Sequence, residues 1–489
     1  MGGLALALWR RAAVPVDVDA GIPARDAAPP TVVDAAPATS GRVLTIDDAG
    51  PLRTLAAALA DARPGDRVIV PAGVHPGPVE ITAPVFLEGE PGAIIEGQDD
   101  NALRLHADAT IRGLTLRQTG TRNRYAVRVS GGHPRLEDCT VVGGGGAAVA
   151  VTGQGRLTIR GGLVTGGGAA AVFLTELGQA VLEDCEIREA GLSGVEVAGQ
   201  ARLTARRCRI RDNTGAGVLV REAGFVELDG VEIFNNENTG LGIKDAASGV
   251  VRRSVIRDGR SSGMFLRSRG EVLIEDSRLL HNRLAGIEIG DRAAPVVRRT
   301  TLTEGLGTGI FIHDDARPVI EDCVLQGQAL AAIEVTTRAE PTLRRNRVEG
   351  GDGGGIFLHD QAGGLIEEND IIGAGRASIL VRDAGTAPRV LKNRLRGGLQ
   401  SGLHIFAGAG GRYADNRITE HRGHGIEVVA AAPTLEGNIV RGNAGYGVAY
   451  FEGGGGRLGH NQLDDNAAGP LRLDGADPAR LERADGASP

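Results

Sequence analysis

Gly309-Ile310-Phe311-Ile312-His313-Asp314-Asp315-Ala316-Arg317-Pro318-Val319-Ile320-Glu321-Asp322-Cys323-Val324-Leu325 spells out one unit of this chain's architecture. Ile310-Phe311-Ile312 reads as a first strand, Pro318 to Asp322 as a second and Val324-Leu325 as a third, because apolar positions alternate with period two between polar or small residues. Outward from this unit, an aliphatic residue, any residue and a second aliphatic residue recur. The starts are Leu103, Val127, Val149, Val172, Val195, Val218, Leu241, Met264, Ile287, Ile310, Ile333, Ile356, Ile379, Leu403, Ile426, Val448 and Leu471, usually entered through Gly or another small residue. They span 368 residues at a mean interval of 23, and every interval lies between 22 and 24. So constant a period predicts stacked supersecondary units, and 23 residues are too few for a helical pair. The expected form is a coil of parallel β-structure, three strands per turn, with neighbouring turns about 4.8 Å apart.

Two ladders fix the register. About thirteen residues after most strand starts comes a small or amide residue: Cys185, Cys208, Ser254, Ser277, Thr300 and Cys323, then Asn346, Asn369, Asn393, Asn416, Asn438 and Asn461. Asn bonds local backbone at sharp bends and tolerates the left-handed conformation, so six stacked amides should bond to one another up the column as structural bends. The second ladder is charged. Glu183/Asp184, Arg206/Arg207, Asp229, Arg252/Arg253, Glu275/Asp276, Arg298/Arg299, Glu321/Asp322, Arg344/Arg345 and Glu367/Glu368 alternate in sign from rung to rung. Each pair contributes only about 0.2 to 1 kcal/mol, but a slip of one rung would stack like charges. The repeating unit is therefore two rungs.

Composition limits the function classes. Gly is abundant, at 76 residues, as a turn-dense solenoid requires, and 54 Lys plus Arg interleave with 61 Asp plus Glu. That leaves no basic stripe for nucleic acid. Cys139, Cys185, Cys208 and Cys323 all fall at or beside the bend, so they read as buried small residues; Cys185 and Cys208, on adjacent rungs, are near enough in backbone terms for a bridge. The spacing suggests no cofactor site. An Asp row supplying one or two oxygens per rung falls short of a calcium shell, and two Met without a His/Cys cluster give copper little to bind.

Four segments are expected. Residues 1–41 form an apolar stub and a Pro/Ala/Asp-rich linker, 42–100 a cap and first turns, 101–474 a parallel β-helix of about 17 rungs, and 475–489 a polar tail. The run Leu4 to Trp9 is too short for a membrane span and lacks a basic leader. Read as the tail of a longer apolar segment, it would place the solenoid outside the cytoplasmic membrane: periplasmic, extracellular or at the cell surface. Between Pro51 and Ala62, Leu52, Leu55, Ala56 and Leu59 mark an amphipathic helix suited to covering the open apolar end of the coil.

The helix with Pro64-Gly65-Asp66-Arg67-Val68-Ile69-Val70-Pro71-Ala72-Gly73, and rungs such as Pro341-Thr342-Leu343-Arg344-Arg345-Asn346 and Gly364-Leu365-Ile366-Glu367-Glu368-Asn369-Asp370-Ile371, resembles the pectin-lyase-like superfamily over residues 42 to 474. In texture it is most similar to the carbohydrate-binding and sugar-hydrolysis repeats also found in F-box substrate receptors. The resemblance implies an all-β, right-handed single-stranded parallel β-helix with a short N-terminal capping helix. That superfamily holds lyases, hydrolases, epimerases and pure binding modules, so the likeness leaves activity open. No F-box precedes the repeats and no Cys/His-rich zinc domain follows them. The Asp-Asp pair and Gly-His-Gly that polygalacturonases set about one rung apart occur here as Asp314-Asp315 and Gly423-His424-Gly425, nearly five rungs or about 23 Å apart, far beyond the 6.5–9.5 Å of an inverting carboxylate pair.

In such folds ligands lie along the strand that opens each unit. Its middle residue should point outward, giving the row Phe173, Glu196, Leu219, Gly242, Phe265, Glu288, Phe311, Glu334, Phe357, Leu380, His404 and Glu427, which holds four of the nine Phe. Phe265, Phe311 and Phe357 recur every second rung, about 9.6 Å apart, with Glu288 and Glu334 between them. Exposed aromatics at that spacing suit sugar rings or an extended polypeptide, and His313-Asp314 and His359-Asp360 form a polar margin beside them. Two-rung duplication alone would also copy Phe and Glu. With every rung at 22 to 24 residues, no long loop walls a cleft, which favours a non-catalytic recognition surface for polysaccharide or polypeptide over a lyase, hydrolase or epimerase.

Overall fold

A computed structural model describes residues 41–46 and 52–483; residues 1–40, which hold the stub and all but the end of the linker, residues 47–51 and the last residues of the tail, 484–489, lie outside them. The chain forms a right-handed parallel β-solenoid of three sheets, with 18, 20 and 17 strands in the order in which a rung meets them. All seventeen expected strand starts lie in the first sheet. The quoted unit folds as Ile310–Ile312, Val319–Glu321 and Val324–Gln326. Ile287 pairs in register with Ile310, and Ile310 with Ile333, and all three are fully buried.

Alternation explains the core. The two aliphatic residues of each first-sheet strand point into the coil, and one aliphatic residue from each of the other two strands meets them, as Ile320 and Leu325 meet Ile310 and Ile312. Stacking repeats this layer along the axis, so the interior is a continuous aliphatic column with no end except at the caps.

At the corner between the second and third sheets the Asn ladder forms as expected. Asn346, Asn369, Asn393, Asn416 and Asn438 each donate through Nδ2 to Oδ1 of the next Asn at 2.8–3.0 Å, ending at Asn461. One detail differs from expectation: the left-handed residue is the one before the Asn. Arg345, Glu368, Lys392 and Asp415 have φ of 53°, 56°, 56° and 56°, and the Asn amide ties the turn they make. The Cys residues occupy the same column on earlier rungs and are free thiols; burial pushes Cys139 up to about 11 and Cys323 up to about 12, so both stay protonated.

A second amide ladder, at the exit from the third sheet, escaped the sequence reading. Asn213 donates to Asn236 at 2.8 Å, and Asn443 to Asn466 at 2.8 Å, with Asn282, Gln328 and His421 bonding carbonyls or amides of neighbouring rungs in the same column. Its members are spaced like the first ladder but interrupted by Gly, which hides them. His421 is buried there, and loss of hydration pushes it down to about 4, so it packs as a neutral ring.

The charged ladder is also present. Arg207 meets Asp184 at 2.8 Å, Arg299 meets Asp276 at 2.7 Å and Arg345 meets Asp322 at 2.8 Å. Glu275 has Arg252, Arg298 and Arg299 at 2.7, 2.7 and 2.8 Å. Burial opposes its charge, but hydrogen bonds from Arg298, Arg252 and Arg299 outweigh that and hold its carboxyl below the ordinary range.

The helix is shorter than expected, Leu55–Asp61, capped by Thr54, whose hydroxyl accepts from Ala57 N at 3.1 Å. Its buried residues are Leu55 and Ala58; Ala56 faces solvent, a correction to the apolar face read from sequence. The helix packs on strands Arg67–Val70 and Val79–Ile81 at the first turns. At the other end Ala476–Arg483 adds a last strand beside Gly454–Leu458.

Candidate functional site

The first sheet aligns the outward row. Phe173 lies beside Glu196, Phe265 beside Glu288, Glu288 beside Phe311, Phe311 beside Glu334 and Glu334 beside Phe357. These residues are half-buried, while the aliphatic residues flanking each of them are fully buried. The row is thus a surface, but a filled one.

What fills it is the residue two positions on, which a strand directs to the same side. The Arg267 guanidinium lies 4.7 Å from the Phe265 ring centroid, His313 stacks on Phe311 at 4.7 Å and His359 on Phe357 at 4.5 Å. Arg382, one rung on, reaches Phe357 at 5.3 Å. Phe265, Phe311 and Phe357 thus each carry a cation or imidazole against the ring.

The intervening carboxylates are bridged across rungs in one recurring pattern. Glu288 accepts from Ser262 Oγ of the preceding rung at 2.9 Å and lies 3.5 Å from His313 Nε2 of the following one. Glu334 accepts from Thr308 Oγ1 at 3.3 Å and bonds His359 Nε2 at 3.1 Å. Glu427 repeats the first half, accepting from Ser401 Oγ at 2.6 Å, and Glu196 the second, accepting from Arg221 Nε at 2.8 Å. A hydroxyl below, a carboxylate, and a cation or imidazole above make up the unit.

His313, placed by the sequence in an open polar margin, is buried at 7 % exposure, while Asp314 is half-buried and Asp360 exposed. Its Nδ1 meets Asp314 Oδ2 at 2.8 Å. Glu288, the better shielded carboxylate, and then Asp314 hold the imidazole above its ordinary 6.5 against burial; His313 in turn, with Ser262, holds Glu288 below 4.5. An imidazole held between carboxylates on both sides is a clamp and a poor general base. His359 Nδ1 contacts Thr336 Oγ1 at 3.2 Å, and Asp360 donates its backbone N–H to Asp383 at 3.3 Å.

The sign of the resulting pH dependence follows from both shifts. The raised His313 contributes stability that is complete below 6.5 and lost as pH rises through its folded value; the lowered Glu288 contributes above 4.5 and is lost as pH falls through its folded value. The destabilisation of His313→Gln, measured as the drop in urea midpoint, should be largest at about pH 5.5 and should shrink by about pH 9. A difference that grows toward alkaline pH would contradict the clamp.

Asp314-Asp315 and Gly423-His424-Gly425 stay apart and are each tied locally. Asp315 pairs with Arg338 at 3.0 Å, and His424 Nδ1 accepts from Tyr446 N at 2.9 Å. Among the described residues no group of three or more His, Cys, Asp or Glu is placed to hold a metal ion.

The sequence reading missed a neighbour of the row. Leu284, Leu306 and Leu330 stand in the turns that lead into the strands of Glu288, Phe311 and Glu334, at 52, 63 and 57 % exposure. Leu306 N donates to Asn282 O and Leu330 N to Gly307 O, so these turns stack with Gly307 between Leu284 and Leu330 and Leu306 one position before it, a staggered, exposed aliphatic ridge in the turns beside the aromatic row. Their uneven spacing of 22 and 24 residues is the signal that was available.

The sequence model for the right handed beta helix region matches residues 93–241, 193–342, 291–435 and 331–481. Among solved structures the chain is similar to the Agl-KA catalytic domain, at 11 % identity and TM-score 0.30, over 87 % of this chain and 63 % of that one, less than two thirds of its length. It is similar too to the catalytic unit of a GH87 alpha-1,3-glucanase from Streptomyces thermodiastaticus, at 12 % identity and TM-score 0.26, over 82 % and 70 % of the two chains. The periplasmic alginate epimerase AlgG gives 12 % identity and TM-score 0.30 over 75 % and 77 %. No curated protein matches. No helix among the described residues is long and apolar enough to cross a membrane.

Proposed function

We propose that this chain, which belongs to the right handed beta helix family, is a non-catalytic recognition solenoid that binds carbohydrate or an extended polypeptide along the row Phe173, Phe265, Glu288, Phe311, Glu334 and Phe357. The observation that carries the reading is the two-rung repeat of that row on an open face: aromatic edges about 9.6 Å apart, set between bridged carboxylates and flanked by the Leu284, Leu306 and Leu330 ridge. A ligand with its own period near this spacing would meet the same contact at each repeat, and avidity along the rod would replace depth of pocket. The histidines of the margin are spent on holding the carboxylates, which favours binding over acid–base chemistry.

The test is a combined glycan and peptide array, followed by titration of the best ligand. Phe311→Ala with Phe357→Ala should weaken binding roughly 10- to 100-fold while shifting the melting temperature by less than about 3 °C, since both rings lie outside the core. Release of reducing or unsaturated sugar ends by the wild type, abolished by Asp314→Asn, would replace this reading with that of a carbohydrate-active enzyme. Absence of any bound glycan or peptide would leave a spacer.

A further inference from the structure

We infer that a phosphate or sulfate ester carried on a hydroxyl-bearing ligand binds in a hollow of the third sheet, between Arg394, Arg396 and Arg417. This face is separate from the Phe/Glu row, and the inference stands whether or not that row binds anything.

The first observation is a break in the charge pattern. On the third sheet Arg209 lies in register with Glu186 and Glu232 and Arg347 with Asp370, and where two Arg do meet in register, Arg188 beside Arg211, each has a carboxylate partner, Glu189 and Glu186. Arg394 lies in register with Arg417 on the adjacent strand, both exposed. Neither forms an ion pair among the described residues. Asp370, in register on the far side of Arg394, is taken by Arg347 at 3.1 Å and by Arg396 at 3.6 Å. On the same two rungs the second sheet sets Arg389 beside Arg412, but there Arg412 pairs with Glu436 at 3.3 Å. Like charges directly opposite on paired strands repel, and a bound anion is what would turn the repulsion into attraction.

The second observation is the hollow itself. A depression of about 260 Å³ is lined by Asp370, Arg394, Arg396, Arg417, Thr419 and Glu420, and a neighbouring one of about 490 Å³ shares Arg396 and Glu420. The third is an orphan: Oδ1 of Asp370 is buried in its wall and has no hydrogen-bond partner among the described residues.

These three features select the ligand's chemistry. A guanidinium presents two parallel N–H donors, and one such fork saturates the two oxygens of a carboxylate. Two forks about 4.8 Å apart call for an anion with more terminal oxygens, which a tetrahedral phosphate or sulfate supplies. The unpartnered carboxylate oxygen calls for a donor, which a neighbouring hydroxyl of the same ligand supplies. Glu420 and Asp370 on the flanks would repel a continuous run of phosphates, so isolated esters on a neutral hydroxylic framework fit and a nucleic-acid backbone does not.

Isothermal titration of the full chain at constant ionic strength tests this with four probes: inorganic phosphate, inorganic sulfate, glucose 6-phosphate and glucuronate. Phosphate and sulfate should bind saturably, glucose 6-phosphate more tightly, and glucuronate at least about tenfold more weakly than glucose 6-phosphate. Arg394→Gln with Arg417→Gln should weaken phosphate binding by about tenfold or more, while Arg269→Gln, on a distant turn, leaves it unchanged. Arg417→Glu restores the alternation of charge, so it should raise the melting temperature in anion-free buffer and abolish phosphate binding, which separates a lost site from a lost fold. No saturable binding of phosphate or sulfate, unchanged affinity in the double variant, or glucuronate binding as tightly as glucose 6-phosphate would each overturn the inference.

Discussion

Asn393→Ala is expected to destabilise the chain by about 3–5 kcal/mol, more than most substitutions outside the aliphatic column. The Asn393 amide donates to Ile366 O at 2.9 Å, Leu391 O at 3.1 Å and Asn416 Oδ1 at 3.0 Å, and accepts from the backbone and side chain of Asn369, both at 2.9 Å. Alanine loses these bonds and leaves the buried Asn369 backbone N–H without its acceptor, while Leu391 O keeps Glu368 N, Asn416 Oδ1 keeps the backbone N–H of residue 393 and Asn369 Nδ2 keeps Leu343 O; an unmet buried group costs about 1–3 kcal/mol on top of the lost bonds. Because the solenoid is held by nearest-neighbour contacts, the loss should fall on the rungs around it. Hydrogen exchange should lose protection around residues 366–416 first, and urea unfolding should split into two steps. Asn461, at the ladder's end, accepts from the Asn438 backbone N and Nδ2 at 3.0 and 2.8 Å but donates only to Leu435 O and Gly459 O and is half-buried, so water can reach the groups its replacement frees and the cost should be about 1–2 kcal/mol. Equal losses at the two positions would show that the amides do not act as a connected column.

The second large effect is expected from Gly425→Val. A Cβ on Gly425 would lie 2.0 Å from Val440 Cγ1 and 2.7 Å from Gly447 O, with no space on either side. The cost should be about 3 kcal/mol or more, read as a drop in melting temperature and soluble yield. Other rungs carry Ala332 or Ser378 in the same column, so the limit is local, set by the Val440 methyl. Adding Val440→Ala should recover part of the loss. Strict additivity of the two changes would mean that the backbone oxygen, not the methyl, is the obstacle.

The fold was legible because its determinant is a period. Seventeen strand starts at 22 to 24 residues, the six Asn and the alternating charges all stated one register, and the strands, the amide column and the ion pairs follow it. The first ladder was readable because its members run without interruption; the second was not, because Gly259, Gly305 and Gly351 break it. Ala56 was misassigned because Ala is neutral to burial, and the turn that Thr54 caps sets the helix one step later than the apolar spacing suggests.

At the candidate site, sequence gave the column but not its contacts. Which residues share the outward row follows from period two and the register alone. That His313 turns in against Glu288 and that Ser262 and Thr308 reach up to the carboxylates depend on side-chain directions across rungs 25 or 26 residues apart, which no local pattern encodes. The row therefore proved less open than its composition implied, and its edge, the Leu ridge, more apolar.

The direction of the backbone hydrogen bonds has a mechanical consequence. Every strand bonds to its counterpart one circuit away, so the bonds lie parallel to the long axis and a stretching force applied at the two ends loads the outermost circuit first. Under tension such a rod peels as a zipper, each released circuit paying out roughly 75 Å of slack chain before the next is loaded, whereas the same bonds acting together resist bending of the intact shaft.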